Sequence, residues 1–425
     1  MKLNLQVDVH HLTRVEGHGN IVVRVEDGVL REARWDVVET PRYFEVMLKG
    51  KHYSSAGLIT ARICGICSIG HCLASVRATE DAFGIEIPSL ARKLRLLAKH
   101  GETLQSHALH LFFLAAPDFV GTPSALPLLE THPAVVDIAR RLKGLGNRIC
   151  DAVAGRTTHP VSIKVGGMAM RPSREALRAI RPQLVRSLDD LDETAKLFKT
   201  FNIPDFVRET EFVSLQALDE YPWIGGGLIS SDGVRHEERD YAAMTNEYVT
   251  DDNTSKWCRL SREAMAVGAL ARVNNSFDWL RPEAKAAAKA FGLVPVCHNP
   301  FMNNVAQLVE CVHVVHESIR YLDEIVNAPD DMPICADVTP RAGAGVGAVE
   351  VPRGILYHHY EYDDAGRVVR ADCVIPTTQN NANIHLDMNA LVRQFAVQGM
   401  TDQKLELLCS MLVRAYDPCI SCSVH

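Results

Sequence analysis

Alternating hydrophobic and polar positions mark the first forty residues as β structure. The stretch from Leu3 to Val9 alternates, and the stretch from Asn20 to Glu26 is rich in β-branched valine and isoleucine. Asp27-Gly28 is a two-residue hairpin signal, and a return strand is predicted from Val29 to Val38. We therefore predict a small antiparallel sheet in this part of the chain.

The apolar spacing becomes helical from about Ser68 to Ala115. Residues on one face recur at steps of three and four: Leu90, Leu94, Leu97, His100, Leu104, His107 and Leu111. A further helix is predicted after Ser173 as its N-cap, with an apolar stripe from Leu177 to Phe198. Pro182 is expected to kink that helix or restart it.

Beyond residue 201 the pattern alternates between irregular, helical and strand-like segments. Residues 202–255 break the helical pattern at Gly225-Gly226-Gly227. Helices are then predicted over Asn303–Val326 and Leu386–Tyr416, and strands over Gly354–Glu361 and Val368–Ile375.

The predicted fold class is α+β, with a long-helix bundle core and small mixed or antiparallel β-sheets. We expect one domain over residues 1–425. Its successive parts are a β-rich part (1–60), a helical core (61–200), an irregular or β insertion (201–255), a helical part (256–345) and a C-terminal part of strand, then helix (346–425).

Composition is that of an ordinary soluble protein, with 47% hydrophobic and 23% charged residues. The net charge of −7 argues against a nucleic acid or an anionic membrane as partner. No apolar run approaches the roughly 18 residues of a membrane span, and the first residues lack the apolar core of a signal peptide. These features predict a cytoplasmic location.

Two Cys-x-x-Cys pairs, Cys64/Cys67 and Cys419/Cys422, lie near opposite ends of the chain. Four thiolates in two pairs are able to hold a soft transition metal, provided that the whole fold closes around the site. A structural zinc site with four cysteine ligands is an alternative, although its two pairs usually lie much closer in sequence. A thioredoxin-like redox pair is another, although the expected βαβ context is absent.

The sequences around the cysteine pairs are distinctive. They read Arg62-Ile63-Cys64-Gly65-Ile66-Cys67-Ser68-Ile69-Gly70-His71 and Asp417-Pro418-Cys419-Ile420-Ser421-Cys422-Ser423-Val424-His425. Five further motifs occur in order: Thr13-Arg14-Val15-Glu16-Gly17-His18, Gly155-Arg156 with His159-Pro160, His298-Asn299-Pro300-Phe301, Pro352-Arg353-Gly354 and Pro376-Thr377-Thr378-Gln379-Asn380. Together they resemble the large, catalytic subunit of [NiFe] hydrogenases over essentially the whole chain. The modest length and Gln379-Asn380-Asn381-Ala382-Asn383 look most like the cytosolic, multimeric branch (group 3-like).

The resemblance implies reversible cleavage of H2 into protons and electrons at a nickel–iron centre. The four cysteines would bind nickel, and Cys67 and Cys422 would bridge to an iron that also carries CO and two cyanide ligands. Cys419 would take the first proton. Glu16 matches the position that relays this proton outward, as a carboxylate with a raised pKa is able to do; a salt-bridged turn glutamate is the alternative.

Further residues are expected to surround the metals without binding them. Arg353 matches the arginine that overhangs the centre, although an arginine in such a turn often makes only a surface ion pair. Ser106 stands where many membrane-associated relatives have an aspartate, so one expected partner of that arginine is missing. The remaining expected neighbours are Pro352, Asp417, Thr377 and His71.

A second metal, usually magnesium in the family, is also implied. Its ligands would be the Glu45 carboxylate, the His425 imidazole and the backbone carbonyl of Cys373, with waters completing the shell. Relatives commonly carry a C-terminal extension that a protease removes after this histidine, so the sequence looks like a processed form; a gene that never encoded the extension is the alternative.

Electrons must leave through other proteins, because this sequence has no spare cysteine cluster for iron–sulfur ligation. The resemblance implies a small subunit with iron–sulfur clusters, maturation proteins, and further subunits of the flavin/NAD(P), deazaflavin F420 or heterodisulfide reductase type. Two alternatives are a zinc-stapled scaffold or assembly subunit, and a metal-less quinone-site relative from a respiratory complex.

Overall fold

The computed structural model describes residues 3–216 and 219–425. Met1, Lys2, Ala217 and Leu218, which fall within predicted segments, lie outside the described residues. The N-terminal sheet has the order β1-β2-β3 and is antiparallel. Its strands are β1 (Leu5–Val9), β2 (Gly19–Glu26) and β3 (Val29–Val37). The predicted hairpin is confirmed, and alternate residues such as Val23 and Trp35 are buried.

The region predicted to be helical from Ser68 to Ala115 forms two α-helices and a π-helical turn. Gly84 ends the first part in a left-handed conformation (φ 66°), and Pro88 is the N-cap of the second part. The second part becomes π-helical at His110. The helices of this region are α1 (Phe44–Leu48), α2 (Tyr53–Thr60), α3 (Ser68–Phe83), α4 (Ser89–Leu109), the π-helix His110–Ala115, α5 (Ala116–Phe119) and α6 (Leu128–Thr131).

The next elements are α7 (Pro133–Ala154), β4 (Ile163–Lys164), β5 (Gly167–Met168) and α8 (Arg174–Phe198). Ser173 is the N-cap of α8, as predicted, and its Oγ accepts a hydrogen bond from the Ala176 N–H at 3.4 Å. The helix passes through Pro182 without a restart, which corrects that alternative.

A four-stranded sheet follows, with the order β8-β7-β6-β9. Only its pairing between β6 and β9 is parallel. The elements are β6 (Glu211–Gln216), β7 (Gly227–Ser230), β8 (Arg235–His236), α9 (Tyr241–Thr245), β9 (Met265–Ala266), α10 (Ala269–Ser276), α11 (Pro282–Ala290) and α12 (Asn303–Val326). The bounds of α12 match the prediction. Short 3₁₀ turns cover Glu238–Asp240, Phe277–Trp279 and Pro300–Met302.

The C-terminal part forms an antiparallel sheet and three helices. They are β10 (Gly343–Val351), β11 (Gly354–Tyr362), β12 (Val368–Val374), α13 (Pro376–Phe395), α14 (Asp402–Ala415) and α15 (Ile420–Ser423). The strand β10 was not predicted. One helix was predicted over Leu386–Tyr416, but the structure has two. The first, α13, begins ten residues earlier, at Pro376, and residues 396–401 separate it from α14.

Helix α4 lies at the centre of the molecule, where it packs against α7 and α12, while α12 also packs against α8. Helix α3 packs across β10 and β11. This arrangement places the start of α3 beside the end of the chain. Within residues 3–216 and 219–425, every helix is too short or too polar to cross a membrane.

Candidate metal centre

The first cysteine pair lies in the turn between α2 and α3. Cys67 is the N-cap of α3, and its backbone N–H donates to the Sγ of Cys64 at 3.1 Å. Side-chain hydrogen bonding from Cys67 lowers the pKa of the Cys64 thiol, and the charge of Arg353 adds to this effect. The same hydrogen bond, together with burial, raises the pKa of Cys67.

The second cysteine pair lies where α14 gives way to α15. Cys419 is the N-cap of α15, and its backbone N–H donates to the Oγ1 of Thr377 at 2.9 Å. The Sγ atoms of Cys419 and Cys422 are paired as a disulfide, and the two Cα atoms lie 5.4 Å apart. This bond must be reduced before both sulfurs bind a metal as thiolates. Both side chains thus point to the same place.

The fold brings the two pairs together in the interior. The Sγ atoms of Cys64 and Cys419 lie 3.8 Å apart, and the four sulfur atoms all lie within 4.8 Å of one another. With metal–thiolate bonds of about 2.3 Å, two thiolates on one ion lie up to about 4.6 Å apart, so the observed spacing is close to that of a shared metal centre. The four cysteines, each at most 4% exposed, therefore fit a thiolate-bound metal.

The surroundings of the sulfur atoms also fit a centre with further polar ligands. The Nη1 atom of Arg353 is buried and has no hydrogen-bond partner among the described residues. The Cys64 and Cys67 charges contribute to the raised pKa of this arginine. Because burying an unpaired N–H is costly, this donor fits an acceptor bound between the sulfur atoms and the arginine.

Glu16 lies beside the second cysteine pair, in the loop between β1 and β2. Its Oε2 lies 3.2 Å from the Sγ of Cys419 and accepts from the Ser421 N–H at 3.1 Å, and its Oε1 accepts from the Ser421 hydroxyl. The contact with a cysteine sulfur distinguishes this glutamate from a simple turn residue. Its neighbour Arg14 pairs instead with Asp118.

Arg353 and Asp417 form a buried ion pair above the cysteines. The Nε of Arg353 donates to the backbone carbonyl of Asp417 at 2.7 Å, and its Nη2 donates to Oδ1 at 2.9 Å. Burial alone would lower the pKa of the arginine, but the Asp417 charge outweighs it and the pKa is raised. A surface ion pair is thus the wrong interpretation, since both side chains are at most 3% exposed.

Ser106 and His71 are buried near this region without touching Arg353. The Oγ of Ser106 has no partner among the described residues. The Nδ1 of His71 lies 3.3 Å from the Nε2 of His358, and burial lowers the pKa of both imidazoles. Arg353 is therefore held by Asp417 rather than by a residue at position 106.

Glu45, Cys373 and His425 form a second cluster. The Oε1 of Glu45 accepts from the Cys373 N–H at 2.8 Å and lies 3.4 Å from the Nε2 of His425. The pKa of Glu45 is lowered to about 2, because His425 and the Cys373 N–H outweigh the opposing effect of burial. The Nδ1–H of His425 donates to the Cys422 carbonyl at 3.0 Å, which leaves Nε2 free to bind a metal.

Arg42 joins the two cysteine pairs and was missed in the sequence. Its Nη2 donates to the Ile63 carbonyl at 2.8 Å and to the Ser421 carbonyl at 2.6 Å. Its backbone N–H donates to the Val424 carbonyl at 3.0 Å. One guanidinium thus links the residue before Cys64 to the second pair. The motif Pro41-Arg42-Tyr43 carries no local signal for this role.

Comparison with known proteins gives concordant matches. A family model described as nickel-dependent hydrogenase matches residues 42–134 and 232–425. The chain is 32% identical to sulfhydrogenase 2 subunit alpha of Pyrococcus furiosus over 99% of this chain and 98% of that protein. It is 28% identical to the NAD-reducing hydrogenase HoxS subunit beta of Cupriavidus necator, over 97% and 93% of the two chains.

The fold matches a solved hydrogenase. A chain from the crystal structure of an NAD+-reducing [NiFe]-hydrogenase in the H2-reduced state superposes with a TM-score of 0.90 and is 28% identical. The match covers 99% of each chain. The predicted class, long helices with small sheets, is thereby confirmed.

Proposed function

The chain belongs to the nickel-dependent hydrogenase family, and we propose that H2 is split heterolytically between its four buried cysteines. It is the catalytic subunit of a [NiFe] hydrogenase, which confirms the resemblance seen in the sequence. One observation carries the assignment of the site. Cys64, Cys67, Cys419 and Cys422 bring four sulfur atoms within 4.8 Å of one another in the interior.

We infer the distribution of metals from the family resemblance and the surroundings. Cys64 and Cys419 would bind nickel alone, whereas Cys67 and Cys422 would bridge to an iron with CO and two cyanide ligands. The free Nη1 of Arg353 supports one cyanide position. Thr377 supports the other cyanide position. Its hydroxyl oxygen accepts from the backbone N–H of Cys419, so its hydroxyl hydrogen would be able to donate to the cyanide. When bound, the nickel–iron centre supplies the Lewis acidity that polarises H2.

The proton from H2 requires a base beside the metals. We assign this role to the Cys419 sulfur and then to the Glu16 carboxylate, whose Oε2 lies 3.2 Å away. This distance is short enough for direct transfer between the two groups. The backbone N–H and hydroxyl of Ser421 hold the carboxylate in this orientation.

The second cluster fits a structural magnesium ion. We propose that Glu45 and His425 bind it through oxygen and nitrogen, and that Cys373 contributes its backbone carbonyl. A thiol ligand would disfavour magnesium, which prefers oxygen donors. Burial raises the pKa of the Cys373 thiol, which supports a role for its main chain rather than its side chain.

A small subunit with iron–sulfur clusters would dock near the first cysteine pair. Large apolar side chains are exposed there on and beside α1 and α2: Tyr43, Val46, Met47 and Leu58. Tyr43 follows Arg42, which donates to the carbonyls of Ile63, next to Cys64, and of Ser421, between Cys419 and Cys422. An apolar surface of this kind is typical of a protein contact, and its position would bring a cluster close to the metals.

Further partners follow from the family and its relatives. The relatives include subunits of sulfhydrogenases, of F420-non-reducing hydrogenases and of an NAD-reducing hydrogenase. We propose further electron-transfer subunits of one of these kinds, and maturation proteins, including the protease, that install the CO and cyanide ligands and process the chain. A cytoplasmic location stays a prediction.

Metal analysis and infrared spectroscopy test the assignment on the purified complex. We expect nickel and iron near one each per chain, and absorption bands from metal-bound CO and cyanide. Zinc alone in the site, without such bands, would support the zinc-stapled alternative and would contradict the proposal. The quinone-site alternative is disfavoured, because all four cysteines are present and converge.

A further inference from the structure

Two hydrogen-bonded rungs connect α12 to the end of α4 and to the π-helical turn that follows it. The Nε2 of His107 lies 2.7 Å from the Oε2 of Glu310, and the Nδ1 of His110 lies 2.6 Å from the Oε1 of Gln307. All four side chains are buried. The histidines are three residues apart on one helix and their partners are three residues apart on the other, so the rungs lie side by side.

The rung formed by His110 and Gln307 leads directly to the buried ion pair. The Nε2 of Gln307 donates to the Oδ2 of Asp417 at 3.2 Å, and the other oxygen of this carboxylate accepts from Arg353. The orientation of the amide is fixed, because its nitrogen must face the carboxylate and its oxygen must accept from His110. The second ring nitrogen of His110 lies 2.7 Å from the Arg414 carbonyl, so the ring is held between two oxygen atoms.

The rung formed by His107 and Glu310 braces the backbone that carries Arg353. Glu310 accepts two hydrogen bonds from Arg272, at 2.6 and 2.7 Å. Arg272 in turn donates to the carbonyls of Val351 and Pro352 at 2.9 and 3.1 Å. The main chain leading into Arg353 is thus held by a different set of groups from its side chain.

The helix geometry marks the same place independently. Helix α4 ends at Leu109, and the chain becomes π-helical from His110 to Ala115. Single π-helical turns interrupt an α-helix at an energetic cost and are frequent at functional sites. Here the change begins at the residue whose ring contacts Gln307.

We propose that Gln307 and His110 are positioning residues that orient Asp417, and through it Arg353, over the metals. This role would replace that of a carboxylate at position 106, because Ser106 has none to offer the arginine. With both Asp417 oxygens occupied, Arg353 keeps its Nη1 free to face the centre. The inference rests on the proposed role of Arg353 in H2 cleavage and adds the residues that aim it.

The test compares holoenzyme variants Gln307→Met and His110→Leu with a matched control. The control is His100→Leu, since His100 is also buried on α4 and its Nδ1 lies 3.3 Å from the hydroxyl of Ser318 on α12. Its hydrogen bond to Ser318 does not reach Asp417. Nickel content, thermal unfolding, infrared bands of bound cyanide and H2–D2O exchange are measured for each variant.

We expect Gln307→Met and His110→Leu to retain nickel, to shift the cyanide bands and to lower exchange by about 10- to 100-fold. His100→Leu should lower thermal stability without shifting the bands. In an Arg353→Lys background, Gln307→Met should cause little further loss of exchange, because residues that act through one another are not additive.

Unchanged bands and exchange in both variants would overturn the inference, as would an equal shift in His100→Leu or full additivity with Arg353→Lys. If Gln307→Met does not fold or load nickel, Gln307→Asn replaces it. That variant keeps the amide but is one methylene shorter, and the same criteria apply. A wild-type protein without cyanide bands or exchange would instead contradict the proposed function itself.

Discussion

Glu16 pairs with Cys419 through a parallel main-chain bridge, in which the N–H of the next residue, Ile420, donates to the Glu16 carbonyl at 2.8 Å. The side chains of the same two residues are also in contact, at 3.2 Å. The proposed proton relay and a proposed metal ligand thus belong to one structural unit, although they lie near opposite ends of the chain.

Replacing the relay carboxylate should separate catalysis from metal binding. Glu16→Gln keeps the shape of the side chain and its contacts with Ser421, but it cannot carry a proton. We expect nickel content to stay at the wild-type level and H2–D2O exchange to fall by about 100-fold or more, the usual contribution of a general acid or base. The control is Glu39→Gln, which changes a partly exposed carboxylate that contacts His18. Undiminished exchange in Glu16→Gln would remove this residue from the proton path.

The close approach of the Glu16 loop to α15 depends on a glycine. Gly17 has a φ of 85°, and a Cβ there would lie 2.7 Å from the Ser421 nitrogen. Gly28 has a similar φ of 78°, but nothing lies within 4 Å of its Cβ position. An alanine at either position costs about 1–2 kcal/mol of backbone strain. We therefore expect both variants to lose stability, as measured by thermal unfolding, whereas only Gly17→Ala should also lose exchange activity. Equal exchange in the two variants would contradict this view.

Arg42 should control how firmly nickel is held. Arg42→Lys cannot reproduce the two hydrogen bonds from one guanidinium nitrogen to the Ile63 and Ser421 carbonyls, so the two cysteine pairs would lose a link. We expect nickel release to a chelator to become about 10- to 100-fold faster, the usual effect of removing a group that orients metal ligands. The exposed neighbour Arg62 provides the control, Arg62→Lys. An unchanged release rate in Arg42→Lys would show that the link is not needed.

Local patterns predicted the elements whose signals are local. The hairpin at Asp27-Gly28, the N-cap at Ser173 and the full length of α12 were predicted correctly, because turn chemistry and apolar spacing act within a few residues. The strand β10 was missed because glycine alternates along it. A Cβ at Gly345 or Gly347 would lie 2.2 Å from the backbone of α3, so these glycines serve packing against a helix that the strand's own sequence does not indicate.

The site was predicted only in part, for the same reason. The cysteine pairs, Glu16 and Arg353 were found through motifs, whereas their convergence is set by contacts between distant segments. Arg42 and Gln307 carry no motif. A signal for Gln307 does exist, since Asn303, Gln307 and Glu310 recur at helical spacing among valines and leucines, a pattern that indicates a buried polar network.

Buried histidines should make the protein less stable in mild acid. His313 is fully buried beside Tyr221, and burial lowers its pKa to about 3. The unfolded chain binds a proton at this histidine below a pH of about 6.5, whereas the folded chain does not until a pH of about 3. The contribution of neutral His313 to the free energy of unfolding is therefore fully present above pH 6.5 and is lost as the pH falls.

The size of this effect follows from the shift. Between pH 6.5 and 5 the free energy of unfolding should fall by about 2 kcal/mol on account of His313. His313→Asn should reduce this fall when urea unfolding is measured at both pH values. Val314→Ala, a buried apolar change on the same helix, should lower stability equally at both. An identical pH dependence in wild type and His313→Asn would contradict the prediction; comparing variants also cancels any metal loss in acid.

The second metal should depend on Glu45 and not on carboxylates nearby. Glu45 accepts from the Cys373 N–H and faces His425, whereas Glu247 is paired with Lys256 at 2.8 Å. Glu45→Gln replaces a charged ligand by a neutral one, so we expect it to lose magnesium in elemental analysis while nickel remains. Glu247→Gln should keep both metals.

The two metal sites are also linked, because His425 is three residues from Cys422 and is bonded to its carbonyl. Loss of magnesium should therefore lower the thermal stability of the complex and speed nickel release. Retention of magnesium in Glu45→Gln would exclude this carboxylate as a ligand.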